Sequence, residues 1–107
     1  MGVRSRSSAG GAQLNLNVAA TVVTLTVPAT AMCGWVYVRA TDDGGTATGP
    51  VSYTTDGTDP GANIGTVANP GDIILLNSRE ELENFRVVEQ TATDAEVGVE
   101  YFTDLSG

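Results

Sequence analysis

The side chains of this chain that could do chemistry are a few carboxylates and one thiol. Asp42-Asp43 and Glu80-Glu81 are adjacent acidic pairs, and paired carboxylates can act as acid and base on a glycosidic bond. Neighbouring acids on loops are usually solvated, however, and the chain contains no histidine, the commonest proton shuttle near neutral pH. Cys33 begins an apolar stretch and has no histidine to activate it, which favours a buried structural thiol. The sequence therefore predicts a protein that is not an enzyme and carries no cofactor.

Aspartates in predicted loops are the alternative source of chemistry, since carboxylate and carbonyl oxygens suit Ca²⁺. The residues concerned are Asp42, Asp43, Asp56 and Asp59. Their spacing lacks the acidic ladder of an EF-hand loop. Aspartate also forms turns by accepting hydrogen bonds from nearby backbone amides, so we favour turns and predict no metal site. A Ca²⁺-stabilised adhesive module stays an alternative.

The aromatic side chains Trp35, Tyr37, Tyr53 and Tyr101 could stack on sugars if they were exposed together. At strand spacing they are more typical of a core or a protein interface. We therefore select Trp35 and Tyr53 as candidate partner-binding residues.

The charge of the chain narrows the class of partner. It has 13 acidic and five basic residues in 107, for a net charge of −8. Such a chain has no basic patch to neutralise phosphates, which argues against nucleic acid and anionic membranes. No stretch approaches the roughly 20 apolar residues of a membrane span. The N-terminus has no apolar core typical of a secretory signal, so we expect the protein to act where it is made.

Residues 1–12 form a small, polar N-terminal arm that carries Arg4 and Arg6. One interpretation is a disordered tail. The other is an arm that orders on an acidic partner surface, where each arginine can make a charge-assisted contact. Arg4 and Arg6 are therefore candidate partner-binding residues as well.

From Gln13 onward the chain alternates apolar and polar residues, a period of two that is typical of strands. Pro28 is predicted to end the second strand, because it lacks the amide that a ladder needs. Trp35 and Tyr37 are predicted to share a face of the third. The predicted strands cover residues 13–18, 22–27, 33–40, 51–55, 72–76, 84–91 and 96–102, with a further short strand around 64–67. In the last strand Val97, Val99 and Tyr101 are predicted to line one face, while Glu96, Gly98 and Glu100 face out.

Two local signals interrupt the strands. Asp56-Gly57 predicts a tight turn after the strand at 51–55, because glycine can take a positive φ and the aspartate can bond nearby amides. Ser78 with Glu81 matches a capping box and predicts one helical turn over 79–83, with Leu82 packing inward. Short strands with regular turn signals predict an all-β fold, a small antiparallel sandwich or barrel of about seven to eight strands forming a single domain over 13–107.

Residues 51–60, VSYTTDGTDP, and three later segments resemble small virion proteins encoded in the structural gene clusters of tailed bacteriophages. The later segments are Gly65, Pro70-Gly-Asp72 with the apolar strand after it, and Glu81 to Val88, which contains Phe85-Arg-Val. The likeness covers about residues 20–102 and is a pattern of turns and strands. Residues 53–60 also resemble the Ig-like accessory domain found beside chitin-degrading and hexosaminidase catalytic domains. Neither resemblance supplies active-site residues.

The phage resemblance implies a non-enzymatic component of the virion, foremost a capsid decoration protein, with a neck or tail protein as the alternative. The implied partners are the major capsid protein or other virion proteins, and the implied location is the particle assembled in the host cytoplasm. The open edges of a small sandwich also favour a homo-oligomer or docking onto a lattice. A carbohydrate-binding Ig-like accessory module is the alternative from a different class.

Overall fold

Eight strands and one short helix make up the part of the chain that the computed structural model describes, residues 13–42, 44–61 and 63–103. The strands are β1 (Gln13–Val18), β2 (Val23–Thr24), β3 (Cys33–Val38), β4 (Val51–Thr54), β5 (Thr66–Ala68), β6 (Ile73–Leu76), β7 (Arg86–Glu89) and β8 (Ala95–Phe102). The helix, α1 (Arg79–Asn84), lies between β6 and β7. The N-terminal arm, residues 1–12, lies outside the described residues.

The strands form two antiparallel sheets of four strands each. Sheet A has the order β1-β8-β3-β6, and sheet B has the order β2-β7-β4-β5. The predicted all-β fold is confirmed. In sheet A the first strand, β1, pairs with the last strand, β8, so the two ends of the described domain lie side by side.

One hydrophobic core lies between the sheets and includes residues of both. Val97, Val99 and Tyr101 of β8 point into it, as their alternation predicts. Burial raises the pKa of the Tyr101 phenol to about 12, because the charged form would lose its water. The core also receives Phe85 and Leu82 from the connection between the sheets.

Two strand boundaries and the exposure of one side chain differ from the prediction. The strand predicted over 22–27 is regular only at Val23–Thr24, although Leu25 and Val27 still pack against the core. The strand expected around 64–67 lies slightly later, at Thr66–Ala68. Glu96 was predicted to face out; it lies on the outer face of sheet A but is only 5% exposed. Its carboxylate is 3.9 Å from Nε of Arg39, an ion pair without a hydrogen bond.

The predicted cap at Ser78 is confirmed, but Glu81 bonds to the amide one residue before the cap and not to that of Ser78, as a capping box would require. Ser78 Oγ accepts a hydrogen bond from the amide of Glu81, and Oε1 of Glu81 accepts one from the amide of Asn77. Arg79 reaches across the fold: its Nη1 donates to the carbonyls of Pro28 and Ala31 at 2.9 and 2.8 Å, and at 3.2 Å to that of Ala29. One guanidinium therefore fixes the loop before β3 to the helix.

The turn at Asp56-Gly57 is also confirmed. Gly57 has a φ of +88°, and Asp56 Oδ1 accepts a hydrogen bond from the amide of Thr58 at 2.9 Å. Backbone and side-chain hydrogen bonds from Thr58 lower the pKa of Asp56 by stabilising its charge. The segment then folds back over the outer face of sheet B, where Ser52 Oγ donates to the carbonyl of Ile64. This return explains why Ser52, on an outer face, is buried.

Candidate interaction surface

The outer face of sheet A carries a group of neighbouring apolar side chains that are in contact with solvent. Trp35 and Tyr37 of β3 point outward and are half-buried. On β6, Leu75 lies opposite Trp35 and Ile73 lies opposite Tyr37. Leu75 is 59% exposed and Ile73 is 63% exposed. Together with Phe102 of β8, these residues are called the sheet A patch below.

The sheet A patch is held in place by specific contacts on its β8 side. The Trp35 indole donates a hydrogen bond from Nε1 to Oε1 of Glu100 at 3.2 Å. Its ring meets that of Phe102 edge to face, with centroids 5.1 Å apart. These contacts fix the orientation of Trp35, so its exposed part is a preorganised aromatic surface.

Gly98 is the position that lets Tyr37 lie flat on the sheet. A Cβ placed at Gly98 would be 2.1 Å from Cζ of Tyr37. The ring therefore occupies the space directly above the glycine, where any other residue would place its side chain.

Gly98→Ala is expected to displace the Tyr37 ring while leaving the fold intact, at a cost of about 1–3 kcal/mol of stability. The readout is nitration of Tyr37 by tetranitromethane, followed by peptide mass spectrometry, which should become faster. The double variant Gly98→Ala/Tyr37→Ala serves as control, since removing the ring relieves the clash and the two losses should not add. Additive losses would contradict the contact.

Only part of the predicted partner-binding set lies on this surface. Trp35 belongs to the sheet A patch, whereas Tyr53 lies in sheet B and stacks on Phe85 with centroids 5.8 Å apart. Tyr101 is buried in the core. The four aromatic residues that could have formed one sugar platform are therefore not brought together. Arg4 and Arg6 lie outside the described residues.

The aspartates considered for Ca²⁺ have other partners where the structure describes them. Asp42 Oδ1 accepts hydrogen bonds from the amides of Gly44 and Thr46, both at 2.9 Å. Asp59 pairs with Arg86 at 3.7 Å. Asp43 lies outside the described residues. Among those described, no group of three or more histidine, cysteine, aspartate or glutamate side chains could hold a metal ion. Cys33 is buried, as predicted.

Two open clefts lie elsewhere, both on the sheet B side. One, of about 320 Å³, is lined by residues that include Pro60, Val88 and Glu89. The other, of about 340 Å³, is lined by Tyr53, Asp56 and Ile64 among others. The sequence analysis did not identify Ile73 and Leu75 as surface residues. They belong to the continuous apolar run at 73–76, in which burial alternates, so every second side chain of β6 is exposed.

Glu89, beside the first cleft, has surroundings that disfavour its charged form. Its Oε2 is buried without a hydrogen-bond partner. Burial raises the pKa of Glu89, and the nearby carboxyl of Asp94 raises it further. The folded state thus favours the protonated form, so this contribution to stability is present at low pH and is lost as pH rises through the raised pKa.

Glu89→Gln is therefore expected to raise the melting temperature at pH 7, with the gain shrinking towards pH 4, where the wild-type carboxyl is increasingly protonated. Melting curves of both proteins between pH 4 and 8 measure it. Glu80→Gln, which removes an equal charge from an exposed position in α1, is the control. An equal rise in both variants would attribute the effect to net charge instead.

Comparison with protein-family models, with curated proteins and with solved structures found no match to this chain. No helix among the described residues has the length and apolar character needed to cross a membrane.

Proposed function

We propose that this protein is a non-enzymatic structural component of a phage virion that decorates the capsid through its sheet A patch. The observation that carries this proposal is the exposure of Ile73 and Leu75 on the edge strand β6. Each is more than half exposed, and Leu75 lies opposite Trp35 of β3. Neighbouring exposed apolar side chains that form a large contiguous patch mark sites of interaction.

A protein partner fits the sheet A patch better than a small ligand does. Small-molecule sites are concave and bury most of the ligand, whereas this surface is the flat face of a sheet. Tryptophan and tyrosine are enriched among residues that contribute most to protein interfaces. Here both are oriented by neighbours on β8, Trp35 by Glu100 and Tyr37 by Gly98.

The assignment to a virion is supported by the sequence resemblance and by the distribution of charge. The segment at 51–60 and the strands after it resemble phage virion proteins. Arg4 and Arg6 give the arm a charge of +2, while the remaining residues carry three arginines and 13 acids. An acidic partner surface would attract the arm by charge, while the sheet A patch contributes apolar contact.

Copy number in purified particles tests this function. Phage particles whose genome encodes this protein are purified, and the protein is quantified against the major capsid protein by mass spectrometry. Several hundred copies, roughly one per capsid subunit, are expected for decoration, whereas about six or twelve would indicate the neck or tail alternative. Absence from DNA-filled particles would overturn both.

Rebinding to particles stripped of this protein tests the surface. Leu75→Lys is expected to weaken binding at least tenfold, because it places a charge in the apolar contact. Ile64→Lys is the matched control, since Ile64 is similarly exposed at 54% but lies on the sheet B side. Deleting residues 1–12 tests the arm separately, and we expect weaker binding with the fold intact.

A carbohydrate-binding module is the second candidate, favoured by the half-buried Trp35 beside the Glu100 carboxylate. Aromatic faces bordered by carboxylates suit sugar rings, which present both apolar and hydroxyl groups. Glycan-array binding that disappears in Trp35→Ala would support it. Tyr53 packs on Phe85, so loss of binding in Tyr53→Ala would report on stability rather than on contact.

A further inference from the structure

The outer edge of β6 has a defined set of unpaired backbone groups. In an antiparallel pair, successive residues point their N–H and C=O groups alternately towards the partner strand and away from it. The amide of Val38 donates to the carbonyl of Asp72 at 2.9 Å, so Ile74 and Leu76 also point theirs towards β3. The backbone groups of Ile73 and Leu75 therefore point away from the sheet. No strand of the described chain pairs with them.

The same two residues expose their side chains. Ile73 and Leu75 thus leave both their backbone groups and most of their apolar surface to solvent. The edge strands of sheet B are weaker candidates for pairing: β2 has two residues, and β5 has three with one large exposed apolar side chain, Val67. Exposed, flat and apolar edges are the ones that pair with another strand.

Charge is unusually low along this edge. Residues 73–78 contain no ionisable side chain, in a chain whose net charge is −8. Asp72 precedes this stretch and Arg79 follows it. An antiparallel partner with the same sequence would place its Arg79 end beside the Asp72 end of the first strand. Glu80 and Glu81 of α1 add repulsion at the same ends, which opposes this attraction between Arg79 and Asp72. The contact that favours pairing is therefore the apolar contact in the middle of the strand.

We propose that two copies of this protein pair through β6, antiparallel and across a two-fold axis, to form one continuous eight-stranded sheet. This goes beyond the proposed function and does not depend on it. The alternation of backbone groups requires residues that point away from β3 to lie opposite each other. The register that pairs both of them places Ile73 of each copy opposite Leu75 of the other, with Ile74 on the axis. Each opposed pair exchanges two hydrogen bonds, and each exposed apolar side chain covers its counterpart.

The size of the contact sets its strength. A stable dimer buries about 800 Å² of each partner. A strand of four residues covers less than that requirement, so the free protein should dimerise weakly, with a Kd of about 0.1–1 mM. Because both copies are acidic, added salt should strengthen the pairing by screening their repulsion.

Sedimentation equilibrium of the full chain, from about 10 μM to 1 mM and at two salt concentrations, tests the association. We expect the average mass to rise with concentration and to rise further with salt. Leu75→Lys should keep the protein monomeric, and Ile64→Lys should not. A full chain that is monomeric throughout overturns the proposal. So does a dimer that weakens with salt, which would indicate the arginine arm on an acidic body.

Disulfide capture tests the register. In Ile73→Cys/Leu75→Cys, the opposed Cα atoms of a hydrogen-bonded pair would lie about 5.5 Å apart, within disulfide range. Oxidation should then yield a covalent dimer. Ile73→Cys alone is the control, because its two copies would lie diagonally, about 7–8 Å apart, and should cross-link poorly. Cys33 is buried and does not compete. Equal cross-linking of both variants, or none, overturns the proposed pairing.

The N-terminal arm is the competing occupant of this edge. If the full chain is monomeric and a variant lacking residues 1–12 dimerises, the arm of the same chain covers β6 and the proposal is wrong for the intact protein.

Discussion

Phe85→Ala is expected to destabilise the protein by about 3–5 kcal/mol, the usual cost of removing a buried aromatic ring. Phe85 is fully buried, the largest side chain of which this is true in the described chain, and its ring stacks on Tyr53. It occupies the junction where α1 ends and β7 begins, with an extended backbone at φ −62° and ψ 131°. The cavity would therefore open where the two sheets are joined.

Urea denaturation followed by circular dichroism measures this loss. A total stability of about 5–15 kcal/mol is ordinary for such a domain, so the variant would lose a large part of it and melt about 12–40 °C lower. Phe102→Ala is the matched control, since it removes the same ring from a half-buried position on sheet A. We expect it to cost less than half as much. Similar losses in the two variants would show that Phe85 does not anchor the core.

Gly34→Ala is expected to have the second large effect, about 3 kcal/mol, at the upper end of the usual cost of overpacking. A Cβ at Gly34 would lie 2.4 Å from the backbone oxygen of Glu100 and 3.3 Å from Cδ2 of Leu82. Because the first neighbour belongs to the backbone of β8, no rotation of a side chain relieves the clash. The ladder between β3 and β8, the central pair of sheet A, must then shift.

The same substitution at Gly61 is the control. Gly61→Ala meets no atom within 4 Å and does not have a positive φ. It should be neutral or stabilise by about 0.4–1 kcal/mol, because alanine has fewer conformations to lose on folding. Both changes are measured by denaturation. Hydrogen exchange of the Glu100 amide, which lies opposite Trp35 and faces β3, reports on the ladder beside Gly34. If Gly34→Ala is as harmless as Gly61→Ala, the close approach to Glu100 is wrong.

Local signals in the sequence predicted local structure well. Ser78 and Glu81 predicted the start of α1, and Asp56-Gly57 predicted the turn, because each depends on hydrogen bonds between residues two to four positions apart. The alternation in β8 likewise predicted which side chains enter the core. The shortening of the second strand to Val23–Thr24 was not predicted, because a period of two persists in residues that pack on the core without belonging to a regular ladder.

Contacts between distant residues were outside the reach of such signals. Arg79 bonds to carbonyls about 50 positions earlier, and nothing in its neighbourhood distinguishes it from an ordinary helical arginine. Glu96 follows the polar phase of its strand, yet it is buried on an outer face beside Arg39. In both cases the partner comes from another element, which the local pattern does not specify.

The sequence by itself determined the all-β class, the turns, the helix cap and the face that each residue of β8 presents, because these follow from backbone preferences and from the period of a strand. Only the tertiary structure decided that β6 is an edge strand and β3 is not. A period of two determines which face of the sheet each side chain occupies, but it does not determine which strand lies beside it. The apolar run at 73–76 was therefore recognisable as a strand, while its exposed half, Ile73 and Leu75, became a surface only once β3 was placed on one side of it.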